Sequence, residues 1–356
     1  MSGACPAMRV TTDRPDPPSD WDARAVEPPG GHVMQSATWG MYRASQGWDP
    51  HFLTFDDERV ALVLLRSSAG LPGSEAVVRR GPAHADEGPQ ASAARAAALA
   101  TWARAAGART LYLDPERPAD PAYGQAMDGA GFSIADDLEP SIHVMRRDFE
   151  PGLDDEALLR SFSKSTRQRI RAAEKAGVTV TESADPTRMR DFAELLHERA
   201  DVVGMQLQSG TGFTEAWRRL SEANLGRLLL ADHEGELVGG LFLFRQGGIW
   251  STAYSADKAS VRRELPGAMH LVRWTAIRAA HDEGCPAIEL GGVDLPGHRE
   301  PPRQGDPNRG LYEHKRGFGA EWVEREPARR IVLRPGVERI AVIRRRFIDG
   351  LRGMRR

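Results

Sequence analysis

Cysteine is nearly absent from the chain. Cys5 and Cys285 are the only two in 356 residues, which excludes a disulfide framework, and neither has metal-ligand spacing. Cys285 lies beside a predicted buried strand, which suits a reducing compartment, and the cytoplasm is the expected location. No window of about 18 apolar residues occurs, so no transmembrane helix is expected. The first twenty residues likewise hold no apolar run of signal-peptide length. An excess of one charge is also lacking. The formal net charge is −2, so the field of the whole chain draws neither nucleic acid nor an anionic membrane strongly, and nucleic-acid contact requires a local patch. There is no P-loop and no cluster of metal-ligating residues.

Lysine is scarce too. Of 48 basic residues only Lys164, Lys175, Lys258 and Lys315 are lysines. A compact, movable ammonium is chemically unlike a planar guanidinium, so each of the four is worth locating. Lys315 falls in GGVDLPGHREPPRQGDPNRGLYEHKRGFG, Gly291 to Gly319, a stretch long enough to suggest a functional loop. The preceding CPAIEL reads as a buried strand, and Gly291-Gly292 lets the backbone turn off its end. Ligands of open α/β sheets sit at such strand ends. Pro296, Pro301, Pro302 and Pro307 exclude helix across the middle. A lone lysine is usually a solvated surface residue. Its rarity here, and the Gly-Phe-Gly that follows, make Lys315 a candidate cation for an anionic group. In a glycine-bounded loop its ammonium would reach a cleft without displacing core residues, so its loss is expected to spare the fold.

The pattern along the chain predicts an α/β (α+β) protein of two domains. Residues 1–29 are rich in Pro, Asp and Arg without periodicity and read as a disordered leader. Ser36 is a candidate N-cap for a short amphipathic helix. HFLTF, RVALVLLR and EAVVRRGP read as strands, Ala91 to Gly107 as an Ala-rich helix, RTLYLD as a strand, Gln125 to Gly131 as a helix and SIHVMRRD as a closing strand. From Leu153 the order restarts. A helix through LLRSFSKSTRQRIRAAEKAG leads to strand VTVTES and helix DPTRMRDFAELLHERADVVG. Strands RLLLADHEG, ELVGGLFLFRQGG and IWSTAYSAD follow, then helix PGAMHLVRWTAIRAAHDEG and strand AIELGG. AEWVEREPARRIVLRP reads as strand, and GVERIAVIRRRFIDGLRGMRR as a basic amphipathic helix. The first domain is expected over 30–147 completed by 325–356, the second over 148–324.

Five stretches then carry a resemblance: HVMQSATWGMYRASQGW, VVRRGP, TLYLDPE, SFSKSTRQRIRAAEKAGV and GLYEHKRGFG. In content and order, from about Gly31 to Leu333, they resemble the Fem family, the tRNA-dependent aminoacyl transferases that build peptidoglycan side branches. The chain is most similar to the FemX-like variants without a coiled-coil arm, since no heptad insertion is visible. The resemblance implies two tandem GNAT-like acyltransferase domains with mixed, mostly antiparallel sheets flanked by helices. It implies transfer of an amino acid from its tRNA ester to the side-chain amine of residue three in a peptidoglycan precursor, lipid II or a nucleotide-linked pentapeptide. The ester is already activated, so the resemblance implies no ATP, metal or other cofactor, which fits the missing P-loop, and the protein need only place a neutral amine against a carbonyl and stabilise the oxyanion. A monomer working in the cytoplasm, with peripheral contact to the inner face of the membrane, is expected.

Residue by residue, the resemblance sets Lys315 beside the reacting centre and His314 where an aromatic residue is common. Arg43 matches a family lysine at the acceptor's diphosphate, and Tyr254 a family tyrosine at the acceptor peptide. Asp114 matches a carboxylate in the role of base, although a carboxylate before proline also simply ends a strand, and an Asp of ordinary pKa is a weak base toward an ammonium. Where the family often has an Arg and, four residues on, a Tyr for the acceptor's phosphates, this chain has Gln208 and Gly212, with Phe213 as a substitute aromatic face. A different acceptor, such as a secondary-metabolite amine, is the alternative that this departure supports.

The run holding Lys164, Arg167, Arg169, Arg171 and Lys175 is by default a solvated helix face. Its functional reading is contact with the phosphates of a tRNA acceptor stem. An ordinary acyl-CoA N-acyltransferase is a second class of answer. GNAT enzymes hold the CoA pyrophosphate on a turn of free backbone N–H groups, and the corresponding turn here, Arg263-Glu264-Leu265-Pro266-Gly267-Ala268, contains a proline with no N–H to give. A non-catalytic binding module is a third reading, and retention of Lys315 speaks against it.

Overall fold

A computed structural model of the protein describes residues 8–67, 70–82, 84–139, 141–203, 211–261, 264–295 and 297–353, with side chains described except at 201–203, 211–213 and 345–353. The chain divides into two compact units, Met1–Leu138 with Arg325–Arg356, and Glu139–Glu324.

The first unit opens with β1 (Val10–Arg14), α1 (Trp21–Ala25), α2 (Ala37–Ser45), β2 (Asp49–Phe55), β3 (Val60–Ser67) and β4 (Ser74–Val78). It continues through α3 (Pro89–Ala105), β5 (Ala108–Leu113), α4 (Pro121–Gly129) and β6 (Ser133–Ile134). The Ser36 hydroxyl caps α2 by accepting the Trp39 N–H at 3.0 Å. Pro89 starts α3, where its missing N–H costs nothing, and Gly107 with φ +89° follows its end. Strands β1 to β4 form an antiparallel meander, and α3 crosses back to set β5 parallel to β4. From Met8 on, the leader departs from its predicted disorder. β1 pairs with β2, and Trp21, 1% exposed, donates its indole N–H to the Gln35 carbonyl. An edge strand is held by backbone pairing rather than apolar side chains, and one tryptophan anchors α1, so bulk composition misses both.

The second unit begins with β7 (Val144–Asp148), α5 (Asp155–Arg160), α6 (Lys164–Lys175), β8 (Thr179–Glu182), α7 (Pro186–Val203) and α8 (Thr211–Glu222). Then come β9 (Gly226–His233), β10 (Glu236–Gln246), β11 (Ile249–Asp257), α9 (Ala268–Asp282), β12 (Ala287–Glu289), α10 (Arg309–Arg316) and β13 (Glu321–Val323). The chain returns to the first unit with β14 (Arg329–Val332) and α11 (Pro335–Gly353). Each unit holds one seven-stranded sheet, ordered β1-β2-β3-β4-β5-β14-β6 and β13-β7-β12-β11-β10-β9-β8. The second repeats the plan of the first: β8 to β11 form an antiparallel meander, and α9 crosses back to set β12 parallel to β11.

Three boundaries differ from the sequence reading. SIHVMRRD does not close the first half, because β7 pairs with β12 and β13 in the second sheet, and the division falls at Leu138 rather than at 147. The single strand read over 320–335 is two. β13 joins the second sheet and β14 the first, with Pro327 in the link, where it cannot donate to a ladder. The helix read through LLRSFSKSTRQRI breaks between α5 and α6, where the Ser163 hydroxyl accepts the Thr166 N–H as a new cap. α9 packs on β9, β10 and β12 over a core that includes Phe162, Ile170, Leu241, Trp274, Ile277 and Phe318.

Candidate active site

The site is built in the second unit where β12 ends. Gly291 takes φ +76°, and a Cβ there would stand 2.7 Å from the Thr252 carbonyl oxygen. At Gly292 a Cβ would stand 1.6 Å from the Ser141 hydroxyl. Both positions therefore demand glycine, and the backbone lies close against β11 and the start of β7. Beyond the turn, buried Asp294 ties it down. Its carboxylate accepts the Ser141 O–H at 2.5 Å and the Ile142 N–H at 2.9 Å.

Lys315 meets this turn from the last turn of α10, donating through Nζ to the Gly292 carbonyl at 2.7 Å. It lies in a helix, not in the expected loop, because the prolines stop at Pro307 and leave 309–316 free to coil. It is also 3% exposed. Its loss therefore unpairs a carbonyl and opens a void, which corrects the expectation that the fold would be spared. Burial, then the nearby Arg273 guanidinium, hold the Lys315 pKa well below 10.5, with Asp294 opposing. Next to it, β11 carries a bulge. Phe242 faces Tyr254 and Leu243 faces Thr252, leaving Ala253 extra. The buried Thr252 hydroxyl there has no hydrogen-bond partner among the described residues. Bulges often mark sites where a strand re-aims its side chains.

A second cluster adjoins Lys315. Arg273, 2% exposed on α9, donates through Nε to His314 Nε2 at 3.0 Å, and His314 Nδ1 lies 3.1 Å from His270 Nε2. Burial, then Arg169 and Arg273, lower the His270 pKa to about 4. Burial, then Arg273, His270 and Lys315, push His314 well below 6.5. Arg273 itself is lowered to about 10 by burial, with Asp257 opposing, and so keeps its charge at neutral pH. His270 and His314 line a cavity of about 200 Å³ at the N-terminal end of α9, together with Arg169, Asp257, Lys258 and an apolar wall that includes Val238, Leu265 and Met269. The Arg273 guanidinium behind His314, and Lys315 in its protonated form, are an arrangement able to stabilise negative charge as it develops.

The motif that follows Lys315 docks on α6. A Cβ at Gly317 would stand 2.3 Å from the Thr166 hydroxyl, and the Gly317 carbonyl accepts the Ser163 N–H at 2.8 Å. Phe318 is fully buried, 5.2 Å from the Phe162 ring. SFSKST and KRGFG, far apart in sequence, therefore touch.

The remaining predicted residues belong to both units. On α6, Lys164, Arg169 and Arg171 are exposed, while Arg167 turns back to the carbonyls of Arg160 and Phe162. Arg169 also donates to the Pro266 carbonyl at 3.3 Å, which joins it to the cavity. Tyr254 is half-buried against Trp217 and Phe244. Gln208 lies outside the described residues, and of Phe213 only the backbone, in α8, is described. Arg43 and Asp114 belong to the first unit. Arg43 stacks on Trp48 with its guanidinium 4.9 Å from the ring centre. Asp114 is 1% exposed and ion-paired with Arg80 at 3.7 Å; Arg80 also pairs with Glu116, as does Arg325. Asp114 sits at a strand end in a buried ionic network, a structural setting, which argues against the role of base.

Sequence reading missed His270 and Arg273, whose only signal is their i, i+3 spacing in the helical HLVR, as well as Asp294 and Thr252. Among the described residues one group, Asp155, His281 and Asp282, brings potential metal-ligating atoms within 4.8 Å of one another. Its carboxylates are exposed and it lies at the opposite end of α9 from His270.

Residues 160–316 match the acetyltransferase (GNAT) domain family. The whole fold is similar to that of FemX, 19% identical, with a TM-score of 0.77 over 93% of this chain and 99% of that one. Lower likenesses include a conserved protein of unknown function from Bacteroides thetaiotaomicron VPI-5482, 12% identical at a TM-score of 0.53 over 90% and 98% of the two chains. L-PGS from Bacillus licheniformis is 11% identical at a TM-score of 0.50 over 83% and 89%. No curated protein matches the sequence. The chain thus has a FemX-like fold, and the match to the acetyltransferase (GNAT) domain falls within its second unit. Among the described residues, no helix is long and apolar enough to cross a membrane.

Proposed function

We propose that the protein transfers an aminoacyl group from its tRNA ester to an amine, forming a peptide bond, and that the acceptor is the side-chain amine of residue three in a peptidoglycan precursor. The observation that carries this reading is the buried Lys315 ammonium seated on the Gly291-Gly292 turn at the end of β12. Attack of a neutral amine on the ester carbonyl forms a tetrahedral oxyanion, and a preorganised cation in a low-dielectric site lowers that barrier. Collapse of the intermediate breaks the ester C–O bond and releases the tRNA ribose hydroxyl, whose oxygen takes up the proton lost by the attacking amine; the ester is already activated, so the step calls for neither ATP nor a resident metal. The exposed Lys164 and Arg171 of α6, with Arg169 at the cavity, suit the phosphates of the tRNA acceptor end. The reading places the protein in the cytoplasm as a monomer, reaching the membrane surface when the precursor is lipid-linked.

The turn before α9 disfavours acyl-CoA as the donor. The Leu265 N–H is used by the Val261 carbonyl and the Ala268 N–H by the Leu265 carbonyl, while Pro266 has none. At those three positions the turn has no free N–H to offer a CoA pyrophosphate. A secondary-metabolite amine is a second reading of the acceptor, favoured by Gln208 and Gly212 where phosphate-binding residues are common. The test is to offer Gly-, Ala- or Ser-tRNA with a nucleotide-linked pentapeptide and to weigh the product. Gain of one aminoacyl residue on the side-chain amine of residue three supports the reading. No gain with any of the three donors would count against it.

A further inference from the structure

The side of α11 that turns away from the first unit is both apolar and basic. The helix is fastened to the sheet at its start. The Leu333 carbonyl just before it accepts from Arg104 of α3 at 2.6 Å, Glu338 accepts from the buried Arg109 of β5 at 3.0 Å, and Ala341 is 2% exposed. Beyond these contacts apolar side chains are left in the open. Six large apolar side chains are exposed among the described residues, and three of them, Ile340, Val342 and Ile343, fall within one turn of α11. One alone would be ordinary, whereas three together on one helix make a patch. Ile340 and Ile343, 49% and 68% exposed, stand three residues apart and so share a face.

The charge around that patch is of one sign and is not neutralised. Arg334, Arg339 and Arg344 are exposed, and none is ion-paired among the described residues; Arg334 and Arg344 donate only to the carbonyls of Arg104 and Gly70. On other helices surface arginines find an acid one turn away, as Arg160 does with Glu156, Arg218 with Glu222 and Arg309 with Glu313. The sequence of α11 carries five arginines against two carboxylates, and one of these, Glu338, is committed to Arg109.

We infer that α11 docks the protein on an anionic lipid surface, lying in the plane of the headgroups with Ile340 and Ile343 entering the boundary of the acyl chains and Arg339 and Arg344 against lipid phosphates. Aliphatic burial supplies attraction at contact, and the arginines supply it across about a Debye length, within which remote carboxylates are screened and the net charge of the whole chain does not decide. A nucleic acid would engage the arginines and leave the isoleucines wet, since aliphatic side chains offer neither a stacking face nor a partner to phosphate. A second copy of the same face would set arginine against arginine. The helix rests on the surface and does not cross it, in keeping with the absence among the described residues of any helix long and apolar enough to span. The inference goes beyond the transfer reading and does not rest on it.

Cosedimentation of the full chain with vesicles tests this. Vesicles of phosphatidylglycerol and phosphatidylcholine in equal parts are compared with vesicles of phosphatidylcholine alone, at low and at high salt. The protein should partition onto the anionic vesicles far better than onto the neutral ones, and salt should weaken that binding. Ile340→Gln combined with Ile343→Gln should lower partitioning at least about tenfold. Arg339→Gln should lower it about fivefold. These side chains are exposed and glutamine is a good helix former, so thermal midpoints should stay within a few degrees. No binding to the anionic vesicles, or binding that the double glutamine variant keeps in full, would overturn the inference. So would a loss of tRNA binding in the double variant that leaves vesicle binding intact, or a dimer of the unaltered protein that the double variant dissolves. The vesicle samples contain neither donor nor acceptor, so their outcome leaves the transfer reading where it stands, and a failure of transfer leaves the docking inference untouched.

Discussion

Lys315 is where residue-scale chemistry and packing meet. Its ammonium pairs with a neutral carbonyl and stands near Arg273, so burial and a like charge both favour the neutral amine. Its folded pKa lies below the unfolded 10.5. The unfolded chain thus holds the proton over the interval between the two values, and stability rises with pH there. Turnover that needs the charged form should fall with rising pH earlier than an exposed lysine would dictate. Lys315→Met should remove that alkaline limb and lower kcat by on the order of a hundredfold, as loss of one preorganised donor does. Its void should also lower the thermal midpoint, so rates are to be compared at temperatures where both proteins are folded. Lys315→Arg should rescue only in part, since a planar fork does not fit the seat of a compact ammonium. A loss confined to acceptor KM, and absent with an acceptor lacking phosphate, would make Lys315 a diphosphate anchor instead. Lys315 was legible from its rarity among 48 basic residues. His270 and Arg273 were not, because a charged residue on an amphipathic helix is normally at the surface, and only tertiary packing buries Arg273.

At the scale of elements, the two helices of the site meet through a glycine. A Cβ at Gly267 would stand 2.0 Å from the Arg169 carbonyl oxygen and 3.1 Å from the Ala173 methyl, so the backbone of α6 would have to retreat from the start of α9. Gly267→Ala should therefore destabilise the protein by about 1–3 kcal/mol. It should also raise donor KM by moving Arg169 and His270 apart, both of them in the cavity wall. Urea midpoints and donor kinetics check this, and an unchanged midpoint would mean that the contact is looser than the structure has it. The meander strands and α9 were readable from hydrophobic period. The break between α5 and α6 and the division of β13 from β14 were not. Each turns on a local hydrogen bond or a missing N–H inside a stretch whose apolar pattern runs on without interruption. The docking of KRGFG on SFSKST was likewise invisible, because spacing along the chain does not say which segments touch.

Across the whole molecule, histidines buried as neutral rings set the acid limit. In the first unit His32 is lowered to about 3 and His84 to about 4, and in the second His270 to about 4, burial being the largest cause in each. Unfolded, each would titrate at 6.5. The folded pKa values are depressed, so their stabilisation is complete above pH 6.5 and is lost as pH falls from there toward about 4. Each ring contributes a slope of up to about 1.4 kcal/mol per pH unit. The urea midpoint should accordingly drop steadily between pH 6.5 and 4, and a midpoint flat across that window would show that these rings are not held neutral. The two-unit plan itself was legible, because the order of meander, helix and parallel strand is written twice in the pattern of strands and helices. The proposed chemistry centres on Lys315 in the second unit, and the account stands on which donor the protein accepts. The most direct measurement offers radiolabelled alanine on its tRNA, with ribonuclease added to the donor in a parallel sample, and acetyl-CoA as the competing donor. The account predicts labelled product from intact Ala-tRNA, none after ribonuclease pretreatment and none from acetyl-CoA. Product that survives ribonuclease pretreatment, or that forms from acetyl-CoA alone, would contradict it.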